Sequence, residues 1–422
     1  MNARRRHRVG AAAPLADSLL ADEPNGLAID FTDGSYAIRN GSALQVGRAS
    51  DLLTVSRASS GMRYNAAGVM ESVGADLMRF DHDPVTRERL GVLIEGQRTN
   101  LFTQSEFANG VTDAPVSSGL VSATTFTGLT GSTGLAFGHD GSTNSSAYKT
   151  GVTVNGTTYT LSFFVRMDDG AAPAFGSTTN GSSLNDFYCF VGGAPPSPLT
   201  YMTAHLGGGL YRVWATGIAS SGGACGIAKV ATNSSRTFKV SGYQIEAAPM
   251  PSSYIPTTAS QVTRAADFPT LARSAIPYDD TQVSIMVEAN WNYGSGLASA
   301  LRASLQIDEG VDVNRLFLYN GATQRNRMVT NVPGQGSVAL AGAAMSAAPV
   351  RTAVRVGPSN MRIAHDGVLS TSSTDYPLVP ASLTTVRFGR TASGAELFGH
   401  IKRVVIVPRL WSDAELIARS TP

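Results

Sequence analysis

The chain is 422 residues long, with 15% charged residues, 42% hydrophobic residues, 44 glycines and a net charge of +2. That length allows about two to four domains with substantial cores. The charge balance excludes a nucleic-acid binder acting through bulk charge and an acidic, wholly disordered chain. No apolar run approaches the roughly 18 residues of a membrane span, and two cysteines, Cys189 and Cys225, exclude a disulfide scaffold or a Cys-rich metal centre.

Arg4-Arg5-Arg6-His7-Arg8 leads into an apolar stretch that carries Leu15, Leu19 and Leu20. Pro14 and Asp17 interrupt it and no small-x-small site closes it, so it does not read as a signal peptide. A basic arm of this kind frays unless a partner holds it. Arg4, Arg5, Arg6, Arg8, Leu15, Leu19 and Leu20 are therefore expected to form a docking segment. Of the 33 basic residues, 29 are arginine and four are lysine; arginine's weakly hydrated, planar head suits packed contacts.

Residues 1–99 hold short strand candidates at Gly26–Phe31, Leu52–Arg57 and Gly68–Ser72. Their irregular spacing suggests an extended attachment and oligomerisation region. Residues 100–264 are rich in Ser, Thr and Gly. Alternating runs predict strands at Thr158–Met167, Asp186–Val191, Leu210–Ile218 and Arg236–Glu246, with turns at Asn155-Gly156 and Asp169-Gly170. Many short strands at this pitch predict a jelly-roll sandwich. Residues 265–422 repeat the texture, with strands at Gln282–Trp291, Arg315–Tyr319, Arg351–Val356, Met361–His365, Thr384–Gly389 and Gly399–Val407. Ser412-Asp413-Ala414-Glu415 then spells a capping box and predicts a short helix over Asp413–Arg419. The fold class is all-β: two β-sandwich domains after an extended N-terminal region.

Catalytic motifs are scarce. The six histidines lie far apart, so local zinc spacing is absent. No G-x-S-x-G elbow occurs. Gly334-Gln335-Gly336-Ser337-Val338-Ala339 matches G-x-G-x-x-A, but its surroundings are β and no acid stands near twenty positions on, so it reads as a turn. Asp168-Asp169 and Asp279-Asp280 sit in turns, and Glu288 stands alone on its strand. The Asp308–Asp312 turn reads as solvated rather than as a cation site. No catalytic residue, metal or cofactor is assigned, and an enzyme is not expected.

The strand faces carry more. In Thr158–Met167, Leu161, Phe163, Val165 and Met167 share one face, leaving Phe164 and Arg166 on the other. In Leu210–Ile218, Tyr211, Val213 and Ala215 oppose Arg212 and Trp214. An aromatic plate beside an arginine fork suits a sugar ring, whose C–H face stacks and whose hydroxyls take polar partners. Phe164, Arg166, Arg212 and Trp214 are thus the candidate glycan-binding residues. The competing reading is that Phe164 and Trp214 pack beneath a neighbouring loop, domain or subunit.

Arg79-Phe-Asp-His-Asp-Pro-Val-Thr86 with Gly91-Val-Leu-Ile-Glu-Gly-Gln-Arg-Thr-Asn-Leu101 resembles a signature of bacteriophage tail or head fibre and spike proteins. Gly242-Tyr-Gln-Ile-Glu246, Ser253-Tyr-Ile-Pro-Thr257 and Thr263-Arg-Ala-Ala-Asp267 are similar to the close of a carbohydrate-binding-module-like jelly roll in the same proteins. Gly399–Ile406 and Leu410–Leu416 resemble the end of a concanavalin A/laminin G-like domain. The resemblance implies a virion-surface protein made in the host cytoplasm. It implies attachment to other virion proteins through the N-terminal region, adsorption to host-surface polysaccharide, and homo-oligomers, trimers above all, without nucleic acid or membrane insertion. Cys189 and Cys225 can bridge if their strands are neighbours, whereas a reducing cytoplasmic origin favours two buried, free thiols. Two other readings stand beside this one: a capsid or tail decoration protein without glycan binding, and a capsule-depolymerising tailspike.

Overall fold

The computed structural model describes residues 15–114, 116–175, 184–193, 199–220, 223–291, 302–320, 325–344, 350–358, 360–370 and 380–422. Arg4, Arg5, Arg6 and Arg8 of the expected docking segment lie outside the described residues. Regular structure is almost entirely antiparallel β-strand. The chain folds as two compact units, one from 1–56, 89–96 and 267–422, the other from 57–88 and 97–266.

The first unit contains two sheets. The larger runs in the order Val368–Leu369, Asn360–His365, Val350–Gly357, Val283–Trp291, Gly399–Val407, Asn25–Asp30, Ser35–Asn40, Ala43–Arg48, with Arg89–Ile94 also paired to Gly399–Val407. The smaller runs Gly336–Ala344, Arg325–Val332, Arg315–Asn320, Arg302–Asp308, Thr385–Phe388, Phe268–Ala272, Thr54–Ser56. Along Val283–Trp291 the alternation is strict: Ile285 and Val287 are buried on one face, while Met286 on the other joins Ala28, Val405, Val407, Trp411 and Leu416. The short helices Leu15–Ser18 and Asp413–Ser420 cover that outer face. The capping box forms as predicted, with Ser412 Oγ accepting from the Glu415 amide and Glu415 accepting from the Ser412 amide.

This organisation corrects the expectation of a separate 1–99 attachment region. Asn25–Asp30 is buried on both faces from Gly26 onward, and such a strand needs ladder partners on both sides. It finds Gly399–Val407 on one side and Ser35–Asn40 on the other. A ladder of alternating charge then crosses the sheet at one level: Asp30 to Arg403 at 2.7 Å, Arg403 to Glu288 at 2.9 Å, Glu288 to Arg351 at 2.8 Å. The leading segment is thus an integral part of the C-terminal sandwich. Leu20 is fully buried and Leu19 packs on the same cluster, so neither is available to a virion partner; Leu15 is half exposed.

The second unit is a sandwich of a four-stranded sheet (Val116–Ser118, Ser145–Lys149, Cys225–Lys229, Tyr188–Val191) and a six-stranded sheet (Val121–Thr125, Thr133–Phe137, Phe238–Glu246, Thr158–Met167, Tyr211–Ile218, Thr200–His205). Leu161, Phe163, Val165 and Met167 face Cys189, Cys225 and Ile227 in its core. The two cysteines are buried and unbridged; burial pushes the Cys225 thiol up to about 11. Residues 57–88 add the hairpin Gly61–Tyr64/Met70–Val73. Two buried arginines fasten it: Arg57 donates to the carbonyls of Ser59, Leu77, Val73 and Gly74, and Arg79 to the Met62 carbonyl and Ser253 Oγ. In the same stretch Asp83 accepts from the amides of Val85 and Thr86 and shapes a turn. The Arg79–Thr86 part of the signature therefore serves structure.

Candidate functional site

The outer face of the six-stranded sheet brings the four candidate residues together, because register sets their neighbours. Phe164 lies opposite Arg212, and Ser162 opposite Trp214. On the next strand Ala204 is opposite Arg212, and Met202 opposite Trp214. On the other side Phe164 meets Ser241 and Ser162 meets Gln244, with a bulge between the two pairs. Gly242 occupies the bulge with φ +65°. A β-carbon there would stand 2.7 Å from the Phe164 ring, so the position needs glycine both for its backbone and for the close approach.

The inner half of this face is closed. Phe164 has no exposed surface and packs among Met62, Met70, Phe126, Leu210 and Tyr254. Its ring meets Tyr254 edge-on at 5.5 Å. The expectation that Phe164 offers a stacking plate is corrected: strand alternation turns it away from the sandwich core, but the hairpin 61–73 and Tyr254 roof it over. Arg166 is also committed, donating Nε to the Thr127 carbonyl at 3.1 Å and Nη1 to the Gly208 carbonyl at 2.6 Å. Burial pulls its pKa below the ordinary arginine value. It ties two loops together rather than presenting a free fork. Gln244 and Glu246 are closed over by residues 252–255: Glu246 accepts from the Ser252 amide and hydroxyl, and Gln244 accepts from the Ile255 amide.

The outer half stays open. Trp214 is half-buried and flanked by Met202, which is 43% exposed. Thr200 and Thr216 pair on the next row, and Thr216 shares a hydroxyl hydrogen bond with Thr160 at 2.7 Å. Arg212 borders this half, with Nη2 donating to Ser162 Oγ at 2.9 Å and its guanidinium 5.4 Å from the Phe164 ring. The roofed aromatic thus supports the arginine by a cation–π contact. Thr160 is itself buried, its hydroxyl also bonded to the Ala248 carbonyl. The open half therefore offers an indole with an apolar neighbour, a held guanidinium and the hydroxyls of Thr200 and Thr216, which can stack on the C–H face of a pyranose and bond its hydroxyls. Met202 and the strand Thr200–His205 escaped the sequence reading, because this mostly exposed strand alternates neither in apolar residues nor in burial.

No other constellation competes among the described residues. His82, His365 and His400 bond Tyr64, Thr352 and Asn290 respectively, and no three His, Cys, Asp or Glu side chains gather as a metal site. In the Asp308–Asp312 turn, Asp308 takes a bidentate pair from Arg387 at 2.6 and 3.0 Å, and Asp312 accepts from Gln306.

No protein-family model matches the chain, and no curated protein matches it. Among solved structures, the CBM40 of Ruminococcus gnavus IT-sialidase bound to α2,6-sialyllactose is similar over 33% of this chain and 83% of its own, at 18% identity and a TM-score of 0.29. The NanB sialidase of Streptococcus pneumoniae is similar over 36% of this chain and 27% of its own, at 11% identity and a TM-score of 0.30. The CBM22 tandem of Paenibacillus barcinonensis Xyn10C is similar over 75% of this chain and 98% of its own, at 12% identity and a TM-score of 0.24. TM-scores this low do not establish a shared fold, and the face is judged on its own residues.

Proposed function

We propose that this chain is a virion-surface protein of a bacteriophage or phage-derived particle, and that it adsorbs to host-surface glycan through the open half of the six-stranded sheet. The virion assignment is supported by the Arg79–Leu101 signature. Glycan binding is carried by one observation: Trp214 is partly open beside Met202, with Arg212 held in place next to it. Binding at such a face is shallow and weak for one copy, and many copies on one particle multiply it. The reading needs no covalent step.

The test compares Trp214→Ala with Phe164→Ala on an array of bacterial surface polysaccharides. Trp214→Ala lowers binding about tenfold, the effect of roughly 1.4 kcal/mol, at a near wild-type melting temperature. Phe164→Ala lowers the melting temperature instead, since it empties a packed site. An array without hits removes the glycan reading and leaves a decoration protein; release of reducing ends from polysaccharide replaces it with a depolymerase.

A further inference from the structure

Among the described residues, Ala43–Arg48 ends the larger sheet of the first unit and is laddered on one side only, to Ser35–Asn40. Ala43 to Val46 are all exposed, and Leu44 and Val46 each show 45% of their surface. Two residues apart on a strand, they stand on the same face. The free side of such a strand offers a row of backbone donors and acceptors, which proteins ordinarily blunt with Lys, Pro, a bulge or a short length. Ala43–Gly47 has no charge and no proline, and its ladder runs without a register shift. The other sheet ends of the unit differ. Val368–Leu369 and Thr54–Ser56 are two and three residues long, and Gly336–Ala344 is mostly Gly, Ala and Ser.

We propose that this edge pairs with the same edge of a second copy of the chain, antiparallel and two-fold symmetric about Gln45. The register follows from the hairpin. Asn40 and Ala43 flank the turn and pair directly, and the Ala49 amide donates to the Gly34 carbonyl. Ala43, Gln45 and Gly47 therefore turn their N–H and C=O groups toward Ser35–Asn40, while Leu44, Val46 and Arg48 turn theirs outward. Centring the symmetry on Gln45 sets Leu44 against the second copy's Val46, outward groups against outward groups and apolar against apolar. Arg48 then falls opposite Ser42, with no like charges facing. Centring on Val46 instead sets Leu44 against Arg48. The contact is two-fold, unlike the trimers implied by the fibre resemblance, and it does not depend on glycan binding.

Disulfide trapping in the full chain tests it. Gln45 meets its own copy at a non-hydrogen-bonded position, where α-carbons approach to about 4.5 Å, within the range a disulfide spans. Mild oxidation of Gln45→Cys yields a covalent dimer reversible by thiol, whereas Leu44→Cys yields little. The native thiols, both buried, stay silent. In sedimentation velocity the wild type runs as a dimer. Val46→Pro, which removes an outward donor, and Leu44→Lys, which keeps every backbone donor, both run as monomers. A wild-type monomer at the highest soluble concentration overturns the proposal, as does an oligomer that Leu44→Lys leaves intact or that Gln45→Cys fails to trap.

Discussion

Trp411 donates its indole N–H to Glu23 at 2.8 Å, across 388 positions of sequence. Glu23 is 2% exposed and also receives Nε and Nη2 of Arg409 at 2.7 and 2.8 Å and Nη2 of Arg419 at 3.0 Å. Arg419 further donates to the Leu19 carbonyl, with its guanidinium 5.2 Å from the Trp411 ring. One buried carboxylate thus fastens the leading segment to the last helix. Glu23→Ala leaves a buried indole N–H and two guanidinium groups short of an acceptor. The arginines keep partial solvent contact, which discounts the loss to about 2–3 kcal/mol. Calorimetry is expected to show a lower transition for the first unit only, with Glu23→Gln between the two. An unshifted transition would mean that residues 15–23 are not fastened through this carboxylate.

Asn100 plays the matching part in the second unit. Its amide nitrogen donates to the carbonyls of Tyr243 at 3.1 Å and Ile255 at 2.9 Å, and its oxygen accepts from the amides of Phe102 at 3.0 Å and Ile245 at 3.1 Å. Every bonding capacity of the side chain is used in a fully buried site. Asn100→Ala is expected to destabilise this unit by about 2–4 kcal/mol through the backbone groups it strands. Asn100→Asp, nearly isosteric, should be no milder, because it brings an oxygen against two carbonyls. Urea unfolding of all three chains decides: a wild-type midpoint for Asn100→Asp would rule out the assigned network.

Much of this was legible locally. Thr158–Met167 and Gly399–Val407 form over the expected spans, and Gln282–Trp291 loses one residue at its start, because runs rich in β-branched and aromatic residues mark strands both where they alternate, as in Thr158–Met167, and where they are continuously apolar, as in Val404–Val407. The Ser412 cap is a purely local motif and forms as spelled. Partners were not legible. Alternation says that Leu27 and Ile29 share a face, but nothing in it says that their ladder neighbour begins near residue 403, so residues 25–48 looked like a separate arm. The same limit misled at Phe164: its face was right, and the chain that covers it, Met62, Met70 and Tyr254, lies far away in sequence. Arg166 differs, since its partners are the backbone carbonyls of Thr127 and Gly208, which carry no side-chain signal.

Acid should act on both units through different carboxylates. Glu415 in the first is held down to about 2, chiefly by its hydrogen bond from Arg409 at 2.6 Å. Asp169 in the second is also held at about 2, chiefly by Arg236, which grips it at 2.7 and 2.9 Å. A carboxyl whose folded pKa lies below its unfolded one binds fewer protons when folded. Its stabilisation is complete above the unfolded value, 4.5 for Glu415 and 3.8 for Asp169, and fades as pH falls toward about 2. Both groups are largely solvated, so salt should weaken the effect. Melting temperatures recorded between pH 5 and pH 2.5 (about the span set by those values) should fall in wild type. Glu415→Gln should start lower at pH 5 and fall less steeply for the first unit, and Asp169→Asn should do the same for the second. Parallel curves for wild type and variant would mean that these ion pairs do not couple folding to protons.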